Sequence, residues 1–195
     1  MSKGQKGNGS LSGVRLLTVS AMLTAISVVI GIFCKTYLNF GDGLFRITFE
    51  NLPIIMAGIL YGPIIGGVVG LSTDLISYML SPQIYPINII VTIGATLVGV
   101  VSGIVSKFII KKNGNTQIIA AGALSHVICS MIIKSIGLFE FYSFMVLLRI
   151  PTYLVIGTLE IFLLCRLLQR KSFAKIVGYR VDSKTEKEVN NSELQ

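Results

Sequence analysis

The sequence predicts an all-α membrane protein with six transmembrane helices and both termini in the cytoplasm. Hydrophobic residues make up 52% of the 195 residues and charged residues only 13%, against roughly a quarter in a typical soluble domain. The charges are concentrated towards the two ends of the chain. A soluble protein of this size could not bury so much apolar surface, whereas each membrane-spanning helix needs about 20 apolar residues.

Apolar runs separated by turn signals define the individual helices. The predicted spans are Val14–Cys34, Leu52–Gly62, Ile64–Leu80, Ile87–Ile110, Gln117–Gly137 and Phe144–Leu168. Gly62 and Pro63 divide a continuous apolar stretch, because proline lacks the N–H that a helix interior requires. The second helix is short, so we expect it to be tilted or to cross only part of the bilayer.

The regions outside and between the spans complete the predicted organisation. Residues 1–13 are expected to form a disordered cytoplasmic tail, residues 14–168 the transmembrane domain, and residues 169–195 a basic, then mixed-charge cytoplasmic tail. The first apolar run is too long for a signal-peptide core of about 7–15 residues, so we interpret it as the first membrane helix. Residues 35–50 form a long outer loop, in which Thr36–Phe40 and Leu44–Phe49 predict a β-hairpin around Gly41-Asp42-Gly43.

Positive charges predict the orientation. With six spans and the N-terminus inside, 13 of the 17 Lys and Arg residues lie on the cytoplasmic side and four outside, as the positive-inside rule requires. The four outer cations are Lys35, Arg46, Lys134 and Arg149. Because basic residues beside apolar spans set membrane orientation, the net charge of +8 does not indicate nucleic-acid binding.

Several of these outer residues are candidates for a binding site. Arg46, Lys134 and Arg149 lie at outer helix ends next to apolar sequence, and Asp74 lies well inside the third span. An ionisable group inside the membrane is costly and is therefore a functional candidate. The alternatives are cations that extend to the interface and a structural, paired carboxylate. Further polar or aromatic residues at outer helix ends are Asn51, Tyr85, Asn88, Phe139 and Tyr142.

Small residues at four-residue spacing predict close helix contacts. The spacing occurs at Gly58, Gly62, Gly66 and Gly70, at Gly99 and Gly103, and at Ala21 and Ala25. For the glycines we favour packing inside the bundle. Ala21 and Ala25 could instead form a smooth contact face for another membrane subunit.

Three segments of the sequence carry a family resemblance. Residues 21–29 read AMLTAISVV, residues 45–67 read FRITFENLPIIMAGILYGPIIGG, and Arg149-Ile150-Pro151 opens the sixth helix. Further positions that match are Asp74, Tyr85-Pro86 and Glu160. From about Leu16 to Leu168 the chain resembles the substrate-binding S components of energy-coupling factor (ECF) transporters, of the folate type.

The resemblance implies a six-helix protein of a prokaryotic cell membrane that binds one vitamin with high affinity near its outer face. It would dock on a transmembrane coupling subunit carried by two cytoplasmic ATPases, and topple in the membrane to release its ligand inside. Ala21 and Ala25 match the family's contact with the coupling subunit. The chain would be a transport subunit and not an enzyme, without a cofactor of its own, since its partners would use the ATP.

Motifs for other chemistry are missing from the sequence. It contains no GxxxxGK[ST] phosphate loop, no HExxH, no GxSxG and no CxxC spacing, so we expect neither a Walker ATPase, a metal site nor a disulfide framework. His126 lies mid-span with no carboxylate cluster beside it in the sequence, and we interpret it as a hydrogen-bonded structural residue. Active transport would then need an ion gradient or a separate ATPase.

A folate ligand would use the outer residues in distinct ways. We expect Arg46 and Arg149 to bind the glutamate tail, with Lys134 third, because guanidinium groups match carboxylates bidentately. Asp74 or Asn88 could hold the pterin edge. The candidates for aromatic stacking are Phe49, Tyr85, Phe139 and Tyr142. The loop 35–50 could close over the site, with Gly41 and Gly43 as hinges.

Departures from the family pattern leave the ligand open. Glu50-Asn51 replaces an aromatic residue or glycine, and Ser125–Ser130 replaces a segment that resembles Asn-Thr-x-Trp in folate-type proteins. The same architecture could therefore serve riboflavin, a queuosine precursor or another vitamin. An intramembrane enzyme is disfavoured, because Asp74 stands almost alone in the outer half and Glu160 is placed near the inner end of its helix. A stand-alone carrier is disfavoured because no internal repeat is evident.

Overall fold

The computed structural model describes residues 13–40, 45–80, 88–110, 115–142 and 149–170, and these residues are almost entirely helical. The helices are α1 (Gly13–Tyr37), α2 (Asn51–Tyr61), α3 (Pro63–Leu80), α4 (Ile89–Ile104, continued by the π-helical Val105–Ile109), α5 (Asn115–Ser125, the π-helical His126–Ile133 and Lys134–Tyr142) and α6 (Arg149–Gln169). Each helix coincides with a predicted apolar run to within a few residues. The predicted all-α fold is therefore confirmed.

Five helices are long and apolar enough to cross a membrane, within the part of the chain that the structure describes. The exception is α2, whose 11 residues extend only about 16 Å along the helix axis, against a hydrocarbon core of about 30 Å. The six-span count and the orientation of the bundle stay predictions.

Helix α2 occupies the centre of the bundle. Nine of its 11 residues are buried, and it contacts every other helix. Its centre is formed by Ile54, Ile55 and Ala57, which are each at most 1% exposed. A helix that is apolar on all sides is expected to lie in the interior.

The corner between α2 and α3 falls at the predicted break. Gly62 has a φ of +98°, which glycine adopts without strain. Its backbone N–H donates to Gly58 O at 2.8 Å. Pro63 begins α3, where its missing N–H costs no helical hydrogen bond. Lys107 of α4 packs over Gly62 and donates from Nζ to Tyr61 O at 2.9 Å.

Glycines bring α3 and α4 into very close contact. A Cβ on Gly66 would lie 2.4 Å from Gly99 O, and one on Gly70 would lie 2.4 Å from Ala95 O. On α2, Gly58 faces the same part of α4, because a Cβ there would lie 2.5 Å from Gly99 O. The prediction that these glycines pack inside the bundle is confirmed, and α3 makes its most extensive contacts with α4.

The first connection contains the predicted hairpin in shortened form. β1 (Asn39–Phe40) pairs antiparallel with β2 (Phe45–Arg46), with Asn39 opposite Arg46. The predicted start of the first strand at Thr36 is wrong, because α1 continues to Tyr37 and Thr36 Oγ1 bonds to Ile32 O within the helix. The predicted turn at Gly41–Gly43 lies outside the described residues.

The predicted tails lie largely outside the described residues as well. Gly13 already belongs to α1, so the predicted N-terminal tail loses its last residue, and residues 1–12 are not described. The same holds for residues 171–195 of the C-terminal tail and for residues 144–148 of the sixth predicted span.

Candidate functional site

The elements that carry the outer cations are connected through β2 and the segment that follows it. Strand β2, which contains Arg46, contacts α6, which begins at Arg149. The segment 47–50 then leads from β2 into the bundle, to the level of Lys134 on α5. The backbone thus brings all three predicted cation-bearing elements together, although the structure does not describe the side chains of Arg46 and Arg149.

Lys134 is the centre of a buried polar cluster. The residue is 7% exposed, and its Nζ donates to Asn51 Oδ1 at 3.0 Å. Nζ also lies 3.9 Å from Glu50 Oε1. A buried ammonium group needs such partners, since removing it from water without them is very costly. The cation that the sequence places on the outer rim is therefore neutralised within the protein.

Helix α1 supports Glu50 from the other side. Ser27 donates its hydroxyl to Glu50 O. Gly31 provides the room for the carboxylate, because a Cβ on Gly31 would lie 2.8 Å from Glu50 Oε2. Ser27 lies ten residues before the end of α1 at Tyr37, a distance of about 15 Å along the helix axis. The loop after α1 therefore descends well into the bundle before α2 begins.

Asp74 and Asn88 belong to a second polar cluster, between α3, α4 and α5. Thr92 Oγ1 donates to Asp74 Oδ2 at 2.7 Å. Asn88 caps α4 by accepting hydrogen bonds from Ile90 N at 3.0 Å and Val91 N at 3.3 Å, the usual role of asparagine at this position. Its side-chain amide also donates to Gly137 O on α5. Asn88 thus fixes the start of α4 against α5, and Asp74 is half-buried and hydrogen-bonded.

The predicted aromatic residues are described to different extents. Phe49 is half-buried on the segment that leads into α2, and Phe139 is 49% exposed on α5. Tyr85 lies outside the described residues, and the side chain of Tyr142 is not described. The stacking assignments for these four residues stay predictions.

The sequence interpretation missed a buried ionisable pair. His126 Nε2 contacts Glu160 Oε2, and the two residues are 4% and 0% exposed. The placement of Glu160 near the inner end of its helix is wrong, because it lies in the middle of α6, and His126 does have a carboxylate beside it. Residues 34 positions apart give no local sequence pattern; the only available signal was that both are ionisable residues in apolar spans.

Ala21 and Ala25 lie on the outside of the bundle. Both are exposed on α1, beside large exposed apolar side chains such as Leu17, Met22 and Val29. They are therefore accessible to lipid or to another membrane protein. Within the described residues, no group of His, Cys, Asp or Glu residues could hold a metal ion.

A comparison with protein families now identifies the chain. The sequence model of the substrate-specific component of ECF transporters matches residues 15–179. The chain belongs to this family. It is therefore a multi-pass membrane protein and a transporter subunit.

Comparison with solved structures agrees with this assignment. The fold is similar to the crystal structure of FolT bound with folic acid, with a TM-score of 0.56 and 20% sequence identity over 80% of this chain and 88% of that chain. At this identity the likeness shows the fold and not the ligand. The sequence matches no curated protein.

As the substrate-specific component of a transporter, the chain needs a site that binds and releases its substrate without chemical change. The described groups include a buried ammonium group with a carboxylate partner, a second carboxylate, and amide groups, contributed by α3, α4, α5 and the start of α2. Such a site would favour a ligand that offers both negative charge and hydrogen-bonding edges.

Proposed function

We propose that this protein captures folate at the outer face of a prokaryotic cell membrane for an ATP-driven importer. The observation that carries the proposal is that β2, which contains Arg46, contacts α6, while the segment that follows β2 reaches Lys134 on α5. Folate carries two carboxylates on its glutamate tail, and cations at one mouth suit such a ligand. The likeness to FolT bound with folic acid supports the same choice.

The ligand assignment follows the chemistry of folate. Arg46 and Arg149 would bind the glutamate carboxylates, with Lys134 third. Asp74 or Asn88 would hold the donor and acceptor edge of the pterin, and Phe49 or Tyr85 would stack on its rings. In this assignment the hydrogen bonds that Asp74 and Asn88 make with Thr92 and Gly137 keep both side chains in place for the ligand.

The energy for import would come from partner proteins. We propose that Ala21 and Ala25 on the exposed face of α1 dock on a transmembrane coupling subunit that is carried by two cytoplasmic ATPases. Small side chains suit this role, because they let helix backbones approach closely in lipid. The chain itself would contribute no cofactor and no catalytic step.

Calorimetry of the purified protein with a panel of vitamins tests the choice of ligand. We expect folate to bind, and riboflavin and a queuosine precursor to bind far more weakly. Arg149→Ala should weaken folate binding by about 1.5–3 kcal/mol, or roughly tenfold to a hundredfold in Kd, the contribution of a charge-assisted hydrogen bond.

The matched control is Arg166→Ala at the opposite end of the same helix. Arg166 packs over the ring of Phe162, 5.4 Å from its centroid, and should not affect folate binding. Unchanged affinity in Arg149→Ala would remove that residue from the site. Tight binding of a different vitamin in place of folate would overturn the proposed substrate.

A further inference from the structure

The cation that the proposed function offers to the ligand already has a partner in this structure. Lys134 Nζ lies 3.9 Å from Glu50 Oε1, and the two side chains are 9% and 13% exposed. Glu50 lies four residues after the end of β2 and immediately precedes the first residue of α2. A ligand carboxylate that approaches Lys134 must therefore compete with a carboxylate of the protein itself.

We propose that Glu50 is the resident counter-ion of Lys134 and that a carboxylate of the ligand displaces it. This inference rests on the proposed function, and deepens it by naming the group that a ligand carboxylate must displace from Lys134. The negative charge of Glu50 balances the positive charge of the buried ammonium group while the site is empty. A ligand carboxylate takes the place of Glu50 when the site is filled.

Backbone hydrogen bonds within the described residues hold Glu50 in its place. Its backbone carbonyl accepts a hydrogen bond from Ser27 on α1, and its backbone N–H donates to Thr48 Oγ1 at 3.3 Å. The absence of a side chain at Gly31 leaves room for Oε2. The backbone of Glu50 is therefore anchored independently of Lys134, so the carboxylate can move while the backbone stays fixed.

The geometry of the pair makes displacement feasible. At 3.9 Å the two groups are farther apart than in a direct hydrogen bond. The ammonium group carries three donors and keeps its hydrogen bond to Asn51 Oδ1 at 3.0 Å when Glu50 leaves. Glu50 also lies outside the regular helix and is partly exposed, so its carboxylate can turn towards water.

Competition of this kind affects anionic and neutral ligands differently. A neutral ligand gains nothing from Lys134, because it leaves the pair with Glu50 intact. An anionic ligand exchanges one carboxylate for another and keeps the ammonium group paired throughout. The apparent affinity for the anion equals the intrinsic affinity multiplied by the fraction of molecules in which Glu50 is not paired with Lys134. The experiment measures this reduction in affinity.

Folate binding to Glu50→Gln tests the inference. The substitution removes the competing charge and keeps the size of the side chain, so the Kd for folate should fall by about tenfold, the scale of one charge-assisted interaction. Binding of a pterin that lacks the glutamate should not change. In a Lys134→Gln background, where there is no ammonium group to compete for, Glu50→Gln should have no effect on folate.

Asp42→Asn removes one negative charge from the same connection between α1 and α2 and controls for net charge; it should not reproduce the gain. If Glu50→Gln does not accumulate, Glu50→Asp withdraws the carboxylate by one methylene and should tighten folate binding to a smaller degree. Weaker or unchanged folate binding in these Glu50 variants would overturn the inference alone. If the unaltered protein does not bind folate, the proposed function and the inference both fail.

Discussion

Buried polar side chains in this bundle differ in how completely their atoms are paired. His126 and Glu160 contact each other through Nε2 and Oε2, whereas His126 Nδ1 and Glu160 Oε1 have no hydrogen-bond partner within the described residues. Gly157 lies against the imidazole, since a Cβ there would be 3.2 Å from His126 Cγ. The pair therefore holds α5 and α6 together through a single polar contact in a region of low dielectric.

Breaking this pair should destabilise the protein more than removing it. His126→Ala leaves a fully buried carboxylate without its partner, and we expect a loss of about 3–5 kcal/mol. The double substitution His126→Leu with Glu160→Leu should recover much of that loss, because apolar side chains of similar volume can replace a buried ion pair at little cost. Thermal unfolding in detergent measures both variants.

Thr158→Ala provides a local control for this comparison. Thr158 is exposed on α6, and its hydroxyl bonds only to Leu154 O among the described residues, so its removal should change the unfolding temperature little. A double variant that is less stable than His126→Ala would contradict the expectation. The pair would then have a role that apolar packing cannot replace.

At the scale of elements, the sequence predicts where helices begin and end better than which faces meet. Apolar length and the Gly62-Pro63 pair predict the helices, because the membrane and proline impose those limits. Interior and lipid-facing sides of such helices are both apolar, so periodicity carries little information. The contacts of Lys134 with Glu50 and of His126 with Glu160 therefore could not be predicted.

The same limit applies to the candidate site. Asp74 was selected because an ionisable group inside the membrane is costly, and Lys134 and Asn88 because they lie at predicted outer helix ends. The structure shows each of them hydrogen-bonded. Lys134 and Asp74 have their partners on other helices or loops, and a linear sequence pattern cannot reveal such contacts. Whether these residues bind a ligand stays a prediction, as it does for Arg46, Phe49, Tyr85 and Arg149.

The glycine contact between α3 and α4 should tolerate no side chain. In Gly66→Ala the new Cβ would lie 2.4 Å from Gly99 O, and a backbone atom cannot move aside without separating the helices. We expect a loss of about 1–3 kcal/mol from overpacking, read as a lower unfolding temperature in detergent. Gly67→Ala is the control, because its Cβ would meet a side-chain methyl of Val100 at 2.8 Å. Equal losses in the two variants would argue against a backbone contact.

The exposed face of α1 should matter for uptake and not for binding. Ala25→Leu enlarges a side chain that points away from the bundle, so folate binding by the purified protein should be unchanged. Uptake of labelled folate should be lost in cells that also make an ECF coupling subunit and its ATPases, whereas Ala25→Ser, of nearly the same size, should retain it. Loss of binding in Ala25→Leu would show that this face belongs to the interior.

At the scale of the whole molecule, the contacts of α2 bear on the number of spans. The corner that ends α2 at Gly62 packs against Lys107 near the end of α4, while Glu50 at its other end packs against Lys134 towards the end of α5. Helices α4 and α5 contact each other and are joined by a short connection, so they run in opposite directions. Their C-terminal parts therefore lie at opposite ends of the bundle, and α2 leads the chain from one end towards the other.

Because α2 leads the chain towards the other end of the bundle despite its length, we expect the chain to cross the bilayer six times and to return both termini to the cytoplasm. Single cysteines introduced at Ser2 and Ser192, in a background in which Cys34, Cys129 and Cys165 are replaced by alanine, should react with an impermeant maleimide only after the membrane is opened. A cysteine at Ser81, in the connection between α3 and α4, should react from outside in intact cells. Labelling of the termini on opposite sides would give an odd number of spans. The basic C-terminal end of α6 would then lie outside, against the positive-inside rule. Arg149 would lie on the cytoplasmic side and could not share an outer binding site with Arg46.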